Sequence, residues 1–140
     1  MSSPSIRFRS LRGGVLYFVL VFAIGFALGT IRFLIVVPRI GELAGVLIEL
    51  PIILTLAWLL SGWVIAKLQI PRLLAPRLTM SVCALTLLFA AEITLSIWGF
   101  GNSLEGHLGS YGTLHGALGL GGQVAFATFP VLRLWTRPGQ

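Results

Sequence analysis

The stretch from Leu43 to Ala66 reads LAGVLIELPIILTLAWLLSGWVIA and holds one charged residue, Glu49. A helix needs about 20 mostly apolar residues to cross the hydrocarbon of a bilayer, so this stretch is long enough to span. Three more runs of the same kind lie on either side of it. Gly13 to Ile31 carries no charge, and after Arg32 the apolar run resumes as Phe33 to Val37. Leu78 to Phe100 contains only Glu92, and Tyr111 to Leu132 has no formal charge but carries His115 and Gln123. The pattern predicts an all-α protein, a bundle of four transmembrane helices over residues 13–31, 43–66, 78–100 and 111–132. The whole of 1–140 then forms a single transmembrane domain. The connections are short, so consecutive helices are expected to be antiparallel neighbours.

Composition points the same way. Charged residues make up 10% of the chain, against about 25% in a soluble domain, and the mean hydropathy is +0.97. Such a chain cannot cover a surface facing water, so membrane lipid is its expected surrounding. The net charge of +6 does not imply nucleic acid, because the basic residues flank the apolar runs instead of forming a stripe. Cys83 is the one cysteine, which excludes an intramolecular disulfide and a CxxC redox centre, and with them the four-helix disulfide oxidoreductases of the membrane. Arg7, Arg9 and Arg12 ahead of an apolar run are like the start of a signal peptide. The cleavage region near Ala27-Leu28-Gly29 is poor, so an uncleaved helix is expected.

Positive charge orients a bundle of this kind, Lys and Arg collecting on the cytoplasmic side. Arg7, Arg9 and Arg12 precede span one, Lys67, Arg72 and Arg77 lie between spans two and three, and Arg133 and Arg137 follow span four. Four crossings place all of these on one side and leave Arg32 and Arg39 on the other. Both termini are then cytoplasmic, and the setting is a bacterial inner membrane. Tyr17, Trp63 and Trp135 fall near the inner interface, Trp98 and Tyr111 near the outer.

At helical spacing each span shows a stripe of small or polar residues. Gly14, Gly25, Gly29 and Arg32 share a face of span one, and Gly41 and Gly45 lie beside Glu42 and Glu49 at the start of span two. Ser81, Glu92, Ser96 and Gly99 align on span three, and Gly112, Gly116, Gly119 and Gln123 on span four. Glycines four apart allow close helix packing, so Gly25, Gly29, Gly41, Gly45, Gly112, Gly116 and Gly119 are candidate packing residues. The packing partner is either another helix of the chain, a second copy in a homo-oligomer, or a larger membrane complex. Pro51 removes one backbone hydrogen bond two residues after Glu49 and should bend span two.

All four acids, Glu42, Glu49, Glu92 and Glu105, fall in the outer half or its loops, with His107, His115, Arg32 and Arg39. Ionisable groups within a bilayer usually face the bundle interior and often mark function. Arg32, Arg39, Glu42, Glu49, Glu92, His115 and Gln123 are therefore the candidates for binding or proton exchange, with Arg32 as the natural counter-ion to the glutamates. Glu105, His107 and His115 could contribute to a metal site together with Glu49 and Glu92. Their spacing lacks the Glu-x-x-His of di-iron bundles, and neither metal nor other cofactor is expected. No Gly-rich phosphate loop, Ser/His/Asp set or cysteine nucleophile in a polar setting is present.

The stretch Arg32-Phe33-Leu34-Ile35-Val36-Val37-Pro38-Arg39-Ile40-Gly41-Glu42, followed by Glu49-Leu50-Pro51, gathers two arginines, two glutamates and two prolines around the first outer turn. Pro38 should end or bend any helical extension of span one. This stretch resembles small bacterial four-helix integral membrane proteins to which no activity is attached. An Arg followed by a Glu near a proline of span two also resembles the membrane-associated eicosanoid and glutathione enzymes, four-helix trimers of similar length. Their pattern has an Asn between the Arg and Glu and another directly after the Glu, where this chain has Val46 and Leu50 nearby. Three functions follow from the sequence. A structural or accessory membrane subunit with a buried Arg/Glu/His network comes first. A proton- or cation-coupled transporter or small-molecule binding bundle using Glu49 and Glu92 is second, and a membrane enzyme acting on a lipid-soluble substrate is third.

Overall fold

The computed structural model describes residues 4–99 and 101–136, apart from the side chains of Pro4 and His115. Phe100, the expected end of span three, and Arg137 lie outside these residues. The helices are α1 (Pro4–Ile31), α2 (Val37–Ile40), α3 (Glu42–Leu68), α4 (Leu74–Thr94), α5 (Leu104–Gly109) and α6 (Leu114–Leu132). Four stretches are long and apolar enough to cross a membrane: Ser5–Ile40, Glu42–Leu68, Leu74–Gly99 and Gly116–Trp135. Several hydroxyl side chains inside them turn back on their own backbone. Ser10, Thr30, Thr55, Thr79 and Thr94 each donate to the carbonyl four residues earlier, so none leaves an unpaired polar hydrogen facing lipid.

The first span runs further than expected. It does not stop at Pro38: the helix widens to a π turn over Arg32–Val36 and continues through α2 to Ile40. A proline cannot donate to the carbonyl four residues back, and the wider turn lies directly ahead of it. The break comes instead at Gly41, whose φ of +90° is open to glycine and costly for other residues. Span three ends in a second π turn, Leu95–Gly99, over which Asn102 folds back, its amides donating to the Ser96 hydroxyl and carbonyl at 3.0 Å each. The segment before span four, expected as a loop, holds α5 and a 3₁₀ turn over Ser110–Gly112. Ser103 and Thr113 cap the amides of Gly106 and Gly116, as residues of this type do at helix starts.

Around the bundle the order is α1, α3, α6, α4. α1 and α6 each pack along both α3 and α4. Spans two and three are thus not neighbours, although residues 69–73 suffice to join them. The connection crosses the diagonal: Gln69 ends α3 in the left-handed conformation, and buried Ile70 then packs between Gly13 of α1 and the core.

The core occupies one end of the bundle. Tyr17, Val21, Ala57, Val64, Met80, Ala84, Phe126 and Ala127 are buried together there. Glycines let the helices close at this end. A Cβ on Gly14 would lie 2.7 Å from the Cys83 Cβ and 2.8 Å from the Met80 carbonyl oxygen. At the other end, where all four acids lie, a Cβ on Gly25 would meet nothing nearer than 3.8 Å, and one on Gly119 nothing within 4 Å. The bundle is closed at its basic end and open at its acidic end. Its exterior is apolar, with Val19, Phe33, Leu47, Leu59, Val82, Trp98 and Trp135 among the exposed side chains, as suits contact with lipid.

Candidate functional site

The divergence of the helices leaves a cavity of about 780 Å³, with walls from α1, the π turn that follows it, α3, α4 and α6. On α3 it runs from Glu42 to Ala57, about 22 Å at 1.5 Å per residue. Phe22, Phe26, Leu50, Ile53, Leu88 and Phe126 are part of the apolar wall. Arg32, Glu42, Glu49, Glu92 and Gln123 supply its charged and amide groups. Five of the seven residues picked from sequence for binding or proton exchange thus face one space.

They form pairs. Arg32 Nε donates to Glu49 Oε2 at 2.5 Å, the two side chains being 26% and 19% exposed. The π turn begins at Arg32, and Gly45 lets its methylenes lie against α3, since a Cβ there would be 3.0 Å from the Arg32 Cγ. Separately, the Gln123 amide Nε2 donates to Glu92 Oε2 across the α4–α6 contact. The Gln123 Oε1 is buried and accepts no hydrogen bond from the described residues. Of the expected Arg/Glu/His network, the described residues hold an Arg32–Glu49 ion pair and a separate Glu92–Gln123 pair.

The other candidates are spread over the fold. Arg39 is exposed and donates to the Ile35 carbonyl. The His115 side chain is outside the described residues. Gly25, Gly29 and Gly119 line the cavity, Gly41 forms the break between α2 and α3, and Gly116 lies against the turn at Ser110 and Thr113. A Cβ on Gly112 would meet nothing within 4 Å. His107 meets the Tyr111 hydroxyl at 3.1 Å, Glu105 lies in the first turn of α5, and no three of His, Cys, Asp and Glu gather among the described residues.

Residues that read as flanking charge prove to be internal. Arg77 and Arg133 are 3% and 5% exposed. Arg77 donates to the Pro130 carbonyl at 2.9 Å and the Pro71 carbonyl at 3.2 Å. Arg133 donates to the Ser61 hydroxyl at 2.9 Å and to the Trp58 carbonyl, its guanidinium lying 4.1 Å from the centroid of the Trp58 ring. Arg72 reaches the carbonyls of Leu134 and Thr136. The last carbonyls of a helix lack amide partners and carry partial negative charge; Arg72 and Arg77 serve those at the end of span four. Adjacent Ser61 and Gly62 in an apolar run were the sequence signal for the Arg133 seat.

Fold and site together define a packed all-α bundle with four candidate membrane spans around a cavity walled by aromatic, aliphatic and acidic side chains. Comparison with family models, curated proteins and solved structures finds no match for this chain.

Proposed function

We propose that the chain is a small polytopic membrane protein that binds a small apolar or amphipathic molecule in the cavity between its helices. One observation carries this reading: the space adjoins Glu49 and Glu92 and draws its wall from all four spans. Its volume, about 780 Å³, lies within the roughly 300–1,000 Å³ of ligand pockets, which are mostly apolar with a few polar groups. A packed structural subunit would be expected to fill such a space with side chains. The unequal distribution of Lys and Arg supports an orientation with both termini in the cytoplasm, and the four candidate spans support multi-pass placement in a bacterial plasma membrane.

A structural or accessory role is the second reading, and the Arg32–Glu49 pair favours it, because it ties the outer end of span one to span two. The apolar exterior would serve that role through lipids, a second copy or a partner subunit.

Titration of purified protein in lipid nanodiscs with a neutral, environment-sensitive fluorophore separates the two. Saturable binding is expected, and Gly119→Leu should abolish it, since the added side chain enters the cavity at a position where a Cβ meets no atom within 4 Å. Fluorophore uptake that never saturates, or that Gly119→Leu leaves unchanged, overturns the binding reading.

A further inference from the structure

Among the described residues the cavity wall is rich in hydrogen-bond acceptors and poor in donors. Two carboxylates, Glu49 and Glu92, face it with the Arg32 guanidinium, which is engaged by Glu49. The Thr30 hydroxyl hydrogen is given to the Phe26 carbonyl. At the Glu92–Gln123 pair the imbalance is local. An ionised carboxylate has about four acceptor positions, and Gln123 supplies a neutral N–H to Glu92. The Gln123 Oε1 beside it accepts nothing from the described residues. A carboxylate in a low-dielectric setting is compensated either by taking up a proton or by a charged donor, and a buried amide oxygen without a donor keeps its desolvation cost unrepaid.

An anionic head would meet repulsion here, and a neutral one would leave the carboxylate without a charged partner. A quaternary ammonium would answer the charge but bring no N–H. We infer that the cavity takes an amphiphile headed by a protonated primary or secondary amine, which donates N–H groups to both Glu92 and Gln123. In binding, the ammonium replaces the Gln123 amide at Glu92, and the freed amide turns its Oε1 toward the second N–H. The apolar body lies against Phe22, Leu88 and Phe126, which share the cavity with these two residues. This inference rests on the binding reading above and adds the chemical class of the head group.

The test displaces the neutral fluorophore from the full chain in zwitterionic nanodiscs with decylamine, decyltrimethylammonium or decanol. Decylamine should bind at least about tenfold more tightly than either of the others, the effect of a hydrogen bond to a charged group. The comparison is made on the unaltered chain and needs no variant to fold. In Glu92→Gln the ratio of amine to alcohol affinity should fall to about one. In Gln123→Met the advantage of amine over trimethylammonium should shrink while both cations still exceed the alcohol. Equal binding of all three compounds overturns the head-group assignment and leaves the cavity reading standing. Equal binding of the two cations, both above decanol, overturns the N–H requirement. Absence of any saturable fluorophore binding overturns the cavity reading and this inference together.

Discussion

The Tyr17 hydroxyl donates at 2.7 Å to the carbonyl of Phe126, the carbonyl that Pro130 leaves without its helical amide. Proline has no N–H to give to the residue four positions back, so α6 carries an orphan acceptor in the middle of the core. Tyr17, on the diagonally opposite helix, supplies the donor, and its ring stacks on the Phe126 ring with centroids 4.3 Å apart. Tyr17→Phe keeps the ring and removes the donor. The expected cost is about 1–3 kcal/mol, that of a buried acceptor left unsatisfied. Pro130→Ala restores the amide, so the Tyr17→Phe penalty should be smaller in that background. A double-mutant cycle of unfolding in mixed micelles reads the coupling, and additive effects would show that the hydroxyl has another role.

Gly62 is the seat of the Arg133 guanidinium: a Cβ there would stand 2.6 Å from its central carbon. Gly62→Ala should expel Arg133 from Ser61 and from the Trp58 ring, despite the higher helix propensity of alanine. A loss of about 2–3 kcal/mol is expected, from the hydrogen bonds and the cation–π contact together. Quenching of Trp58 fluorescence should change with it, which can be read in a chain where Trp63, Trp98 and Trp135 are replaced by Phe. Unaltered stability and fluorescence would mean that Arg133 does not need this seat.

The four helices were legible because span length and apolarity are local properties, and the runs at 43–66 and 78–100 needed no knowledge of their neighbours. The ring order was not. A short linker limits how far two helix ends can separate, but at a bundle end the diagonal is also within reach, and Ile70 can fill the core on the way across. The acidic candidates were recognisable because a glutamate in an apolar run has few places to point, and Arg32, Glu49, Glu92 and Gln123 do share one cavity. Arg77 and Arg133 were misleading for the opposite reason. At the ends of spans they look like solvated topology signals, and only the third dimension shows the carbonyls of Pro130 and Trp58 that they serve. Gly25 and Gly29 carry the spacing of a packing motif, yet spacing does not say whether a small side chain meets a helix or a cavity.

Glu49→Gln should destabilise the bundle by leaving the Arg32 guanidinium without its counter-charge in the cavity wall. Breaking a fully buried ion pair costs about 3–5 kcal/mol. With the side chains 26% and 19% exposed, water compensates part of this, and about 1–2 kcal/mol is expected. Arg32→Gln alone should cost a similar amount, whereas the double substitution should recover most of the stability of the unaltered chain. A thermal unfolding series of the four proteins checks this, and a double variant less stable than either single one would exclude a pairwise role.

Gln69 stands at φ +52°, ψ +51° at the end of α3, where the amides of Gln69 and Ile70 return to the carbonyls of Ala66 and Ile65. This is the geometry in which glycine is usual, because the left-handed conformation costs other residues about 1–2 kcal/mol. Its side chain has no hydrogen bond among those described, and the group that matters is its carbonyl, which accepts from Arg9 at 2.9 Å. Gln69→Gly keeps that carbonyl and relieves the backbone. It should raise stability by about 0.5–1 kcal/mol, the relief being offset in part by the greater freedom of glycine in the unfolded chain. Gln69→Ala, which keeps the strain, should leave stability nearly unchanged. A rise in Tm for glycine but not alanine identifies the backbone as the cause. A rise for both would point to the side chain instead.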